Sequence, residues 1–136
     1  MALIKKVHHI AIAVPELENA VSFWQDQLGL VLNHVEEVPS QKSKVAFLPV
    51  GESEVEIVSP SSDDSGMAKY IEKRGPGLHH ICFEVDNIDE MLSELKAKGV
   101  TLIDEIAKEL PGRKMAFIHP KSANGVLVEL YEVTGL

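Results

Sequence analysis

Val7-His8-His9-Ile10-Ala11-Ile12-Ala13-Val14 is answered, 71 residues on (position 9 to position 80), by Leu78-His79-His80-Ile81-Cys82-Phe83-Glu84-Val85. Both stretches have the alternating or continuous apolar character of a strand. A helical pattern follows each. Leu17, Ala20, Val21, Trp24 and Leu28 recur at helical spacing up to a stop at Gly29. Ile88, Met91, Leu92 and Leu95 do the same up to Gly99, with Asp86 or Asn87 as the N-cap. Gly29-Leu30-Val31 then matches Gly99-Val100-Thr101, Val45-Ala46-Phe47-Leu48 matches Met115-Ala116-Phe117-Ile118, and Val55-Glu56-Ile57-Val58 matches Val128-Glu129-Leu130-Tyr131. Each half therefore reads strand, helix, three strands. The expected class is α+β, a single domain of two tandem βαβββ modules: module one over about 5–60, a linker over about 61–76, module two over about 77–134. The linker is rich in Ser, Asp, Gly and Pro, with a short helix expected over residues 67–73.

The bulk composition narrows the function. The chain has 136 residues, enough for one domain with a real core. Its net charge of -8 argues against a general nucleic-acid or membrane-surface binder, since both need a basic face. The single cysteine, Cys82, allows no internal disulfide and makes a thiolate metal site improbable. No apolar run approaches the roughly 20 residues that span a bilayer. The opening residues carry no apolar leader pattern, and a cytoplasmic, reducing setting is expected.

The repeat also carries chemistry, because it puts like residues at like positions: His9 with His80, and Glu56 with Glu129. Strand parity sets His8 beside Ile10, Ile12 and Val14 on the face under the helix, and His9 beside Ala11 and Ala13 on a side expected to be open. Parity likewise separates His80 from Ile81 and Phe83, Glu129 from Val128 and Leu130, and Glu56 from Val55 and Ile57. A lone histidine pair is more often a packing feature, and a glutamate alternating with apolar residues is normally the solvated face of a sheet. Two matched pairs in a duplicated frame instead point to one divalent metal held by His9, Glu56, His80 and Glu129. His8, His34, His79 and His119 read as structural or surface residues. Glu54 would replace Glu56 if the register slipped.

These residues resemble the vicinal-oxygen-chelate superfamily and, within it, the methylmalonyl-CoA epimerase family. The match runs through His9-Ile10-Ala11-Ile12-Ala13-Val14, Val45-Ala46-Phe47-Leu48-Pro49, Leu78-His79-His80-Ile81 and, most specifically, the tail from Ile118-His119-Pro120-Lys121 to Val128-Glu129-Leu130. The resemblance implies a cupped, eight-stranded mixed sheet, a homodimer, a cobalt-like divalent ion (zinc, nickel or manganese being acceptable to the same donors), and interconversion of (R)- and (S)-methylmalonyl-CoA. Several members of the family have Gln at the place of Glu56. Some have a second catalytic glutamate where this chain has Val45. In this reading Glu129 is one base and Glu56 the other, at a C2 proton made acidic by its thioester and carboxylate neighbours. Arg113, Lys114 and Lys121 are the expected contacts for CoA phosphates. The competing readings on the same scaffold are a glyoxalase I-like lyase, for which no glutathione-binding set is identifiable, a bleomycin-resistance-type binding protein, and an extradiol dioxygenase.

Overall fold

The computed structural model describes residues 1–135 and contains both βαβββ modules. Strand β1 spans Ile4–Ala13, and helix α1 (Leu17–Val21) runs directly into a π-helical turn over Ser22–Gln27. Strands β2 (His34–Val38), β3 (Ser43–Val50) and β4 (Ser53–Pro60) complete the first module. Helix α2 (Gly66–Arg74) occupies the linker, its Ser65 N-cap oxygen accepting from the Ala68 N–H. The second module is β5 (Gly77–Val85), α3 (Ile88–Ala97), β6 (Lys108–Leu110), β7 (Arg113–Ile118) and β8 (Leu127–Val133). The strands form one eight-stranded sheet in the order β2-β3-β4-β1-β5-β8-β7-β6, with β5 and β8 parallel and β2-β3-β4 and β6-β7-β8 antiparallel. Within each module the first strand lies beside the last, so the duplication read in the sequence is a duplication of topology. Among the described residues, no helix is long and apolar enough to cross a membrane.

The chain divides into two compact units, one of Ile10–His79 and one of Met1–His9 with the chain from His80 onward. In the first, here the β2–β4 unit, Val14, Leu17, Ala46, Leu48 and Ile57 form the buried core, with Trp24 and Val55 packed on it. In the second, the β5–β8 unit, Val85, Ile88, Leu92, Ala116, Ile118 and Leu130 do the same, backed by Phe83 and Val128. Each core joins one helix to one sheet face, as the alternating apolar pattern of the strands requires. Asn87 is the N-cap of α3, accepting from the Glu90 N–H at 3.1 Å, and Gly99 takes φ +82 where the helix stops.

Two expectations change. The first helix is not α-helical to Leu28. The Leu28 N–H bonds the Phe23 carbonyl, an i to i−5 step, and this wider turn ends at Gly29 with φ +100. On the side of β1 expected to be open, Ala11 and Ala13 are both fully buried.

Candidate metal centre

Three strands of the β5–β8 unit each deliver one donor to a common point. β1 supplies His9, β5 supplies His80 and β8 supplies Glu129. His9 Nε2 and His80 Nε2 are 3.2 Å apart, and Glu129 Oε1 lies 3.2 Å from the first and 3.1 Å from the second. His9 and Glu129 are buried and His80 nearly so. The Glu129 carboxylate is opposed by its burial, yet hydrogen bonds from His80 and His9, and their charges, hold its pKa down at about 2. The carboxylate is therefore its resting form near neutral pH.

The donors fit a divalent ion. Atoms about 2.1 Å from a common metal stand roughly 3.0–3.4 Å from one another, which is the spacing of this triangle. Two imidazoles and a carboxylate suit the borderline divalent metals. The rest of the shell agrees. His9 Nδ1 lies 2.8 Å from His8 Nδ1, so one ring donates to the other. Burial first, and the neighbouring His9 charge second, lower the His8 pKa, which favours a neutral ring able to accept. His8 itself stacks on Tyr131 with centroids 4.2 Å apart. With the ring proton on Nδ1, His9 would donate to His8 and turn its Nε2 lone pair to a bound ion. His8, read from sequence as a structural or surface residue, is thus in hydrogen-bond contact with a candidate ligand. The signal for it was the adjacent pair itself.

Glu56 belongs to the β2–β4 unit. It sits on β4 opposite Phe47, on the face away from the core residues Val55 and Ile57. Glu54 is on that same face, opposite Pro49. Of the three basic residues, Arg113 shares a face with Glu129, since Arg113, Met115 and Phe117 pair with Val133, Tyr131 and Glu129. Its guanidinium stands 6.0 Å from the centre of the Tyr131 ring. Lys114 is on the opposite face, held 2.8 Å from Asp89 of α3, and this pairing raises its pKa. Lys121 is exposed in the short 3-10 turn Pro120–Ser122. The sequence reading also passed over a His34–Glu36 contact on β2, with His34 Nε2 3.0 Å from Glu36 Oε1.

Comparison with known proteins agrees with this frame. Residues 8–117 match the Glyoxalase/Bleomycin resistance protein/Dioxygenase superfamily. The uncharacterized protein YqjC of Bacillus subtilis is 42% identical over 131 residues, covering 96% of this chain and 94% of that one. The mitochondrial methylmalonyl-CoA epimerase of Mus musculus is 39% identical, covering 92% of this chain and 71% of that protein. The crystal structure of methylmalonyl-CoA epimerase from Mycobacterium tuberculosis superposes with a TM-score of 0.84 at 35% identity, covering 97% of this chain and 90% of that one.

Proposed function

Since the chain belongs to the glyoxalase/bleomycin resistance/dioxygenase superfamily, and is by its relatives an epimerase, we propose that it interconverts (R)- and (S)-methylmalonyl-CoA at a metal-dependent site. The observation that supports this most is the convergence of His9 Nε2, His80 Nε2 and Glu129 Oε1 within 3.2 Å of one another. In this reading those three hold a divalent ion and Glu56 is the fourth ligand. The ion would supply positive charge that stabilises the enolate formed when C2 loses its proton.

The chain's own groups do the rest. Inverting C2 needs a proton taken on one face and given on the other. Glu129 is assigned one of these transfers, and Glu56 is the carboxylate that the ligand set offers for the second. Arg113 is assigned to the acyl-CoA, because it shares the Glu129 face. Lys121 is the next choice for the phosphates and Lys114, committed to Asp89, the last. On the strength of the resemblance alone, the proposal extends to cobalt as the metal, a homodimer, a cytoplasmic setting and a place in propionate metabolism.

The test is hydrogen exchange at C2 of methylmalonyl-CoA in deuterated water, with enzyme stripped of metal and then reloaded with cobalt. Metal-dependent deuterium uptake together with inversion of C2 is the expected result. Reloaded enzyme that retains cobalt but neither exchanges nor inverts refutes the substrate assignment.

A further inference from the structure

Cys82 takes no part in the chemistry proposed for the triangle. It is the chain's single cysteine, fully buried on β5, and it stands directly opposite Glu129 of β8. It also lies two residues beyond His80 on the same strand, so its side chain is on the face of the candidate donors. A ring nitrogen of His8, a ring nitrogen of His9 and the Cys82 Sγ lie within 4.8 Å of one another. All three residues belong to the β5–β8 unit. The next carboxylate along β5, Glu84, is paired with Lys5 at 3.4 Å and with Lys6 at 3.9 Å. The cluster of three is thus two nitrogens and one sulfur.

A buried cysteine most often serves as a small apolar filler. The duplication shows that a filler at this place needs no sulfur, because the corresponding residue of the first module is Ala11, which is just as buried. The sulfur beside two imidazoles instead makes a donor set unlike that of the triangle. Two imidazoles with a carboxylate suit borderline divalent ions, whereas thiolate in place of carboxylate favours soft ions such as Cu(I) or Cd(II). His9 is common to both sets. Its Nε2 is 3.2 Å from His80 Nε2 and from Glu129 Oε1, while its Nδ1 is 2.8 Å from His8 Nδ1. Two nitrogens at that separation can both reach an ion about 2.1 Å from each. The two positions therefore meet one ring from opposite edges.

We infer that His8, His9 and Cys82 form a second metal position, selective for a soft ion, which shares His9 with the triangle and weakens the triangle's hold on its own ion. The position rests on its own geometry, and its effect on the centre rests on the metal-dependent reading above. On binding, the Cys82 thiol proton passes to solvent and Sγ meets the ion as thiolate. Where the triangle already holds an ion through His9 Nε2, His9 Nδ1 gives its proton to solvent as well. That further deprotonation, with two cations on one ring, makes each ion weaken the other. Soft ions then lower activity from beside the centre.

Cadmium(II), added to cobalt-loaded protein without thiol reagents, is the probe. Because the chain has a single cysteine, an ultraviolet thiolate-to-cadmium charge-transfer band reports Cys82 alone. We expect that band to saturate at a single ion per chain and the visible cobalt spectrum to change over the same range of cadmium. Cys82→Ala, with the residue that Ala11 already places in the other module, should keep its cobalt and show neither change. His8→Gln keeps a hydrogen-bonding group beside His9 but offers a poor metal donor. Its cadmium affinity should fall at least about 10-fold, the lower limit for losing even a group that only supports a ligand. No band in wild type, or a band of equal affinity in His8→Gln, overturns the site. A band that leaves the cobalt spectrum unchanged, or a spectral change that persists in Cys82→Ala, overturns the sharing of His9. Wild-type protein that holds no cobalt refutes the centre at the triangle, and the band and its weakening in His8→Gln then decide the soft-ion position by themselves.

Discussion

Glu129→Gln isolates the electrostatics of the metal centre in protein stripped of metal. The side chain keeps its shape and loses its charge. In the folded protein the Glu129 pKa falls from 4.5 to about 2 despite burial, because His80 and His9 donate to the carboxylate and their charges favour it. About 2.5 pKa units correspond to roughly 3 kcal/mol in favour of the ionised folded state. The unfolded chain takes up this proton near pH 4.5 and the folded chain only near 2. The stabilisation is therefore complete above about pH 4.5 and is lost as the pH falls to about 2. Guanidinium unfolding of both proteins at steps from about pH 6 to about pH 2 measures the difference directly, since every other carboxylate cancels. The wild-type advantage should shrink by roughly 3 kcal/mol across that window. An advantage that stays constant, or that grows on acidification, would refute the carboxylate–imidazole geometry as the source of the shift.

Three further outcomes follow from particular contacts. His8→Phe keeps an aromatic ring against Tyr131 but removes the acceptor for His9 Nδ1, so affinity for cobalt, measured by competition with a chelator, should fall about 10- to 100-fold. Unchanged affinity would mean that His9 needs no orienting partner. Leu48→Ala empties a fully buried position beneath α1 and should cost about 2–5 kcal/mol in denaturant melts, whereas the same change at exposed Leu78 should cost well under 1. Asn87→Ala removes the cap of α3 and should cost about 1 kcal/mol; a loss within error would show that the Asn87–Glu90 bond is not made in solution.

The duplicated topology and the His9–His80–Glu129 triangle were legible in the sequence because both are imposed by position along strands. A strand alternates faces with every residue, and two modules related by duplication present the same positions twice. What was missed depends on information that lies between strands or within one turn. The π-helical step over Ser22–Gln27 leaves the apolar spacing of Leu17, Val21, Trp24 and Leu28 readable as α-helix, since periodicity reports which side chains face the core and not which carbonyl each N–H meets. Arg113, Lys114 and Lys121 were all candidates for the CoA phosphates, although Arg113 and Lys114, neighbours on one strand, cannot share a face. The pairing Phe117↔Glu129 settles that Arg113 is on the Glu129 side. His34 read as a structural or surface residue, because nothing in the spacing of the sequence points to its contact with Glu36. Only the register, in which Phe47 is opposite both His34 and Glu56, puts the pair on the face of a candidate ligand. A search for acid–base groups in such a duplicated sheet should therefore run across strands from the ligand positions, rather than along the strands that hold them.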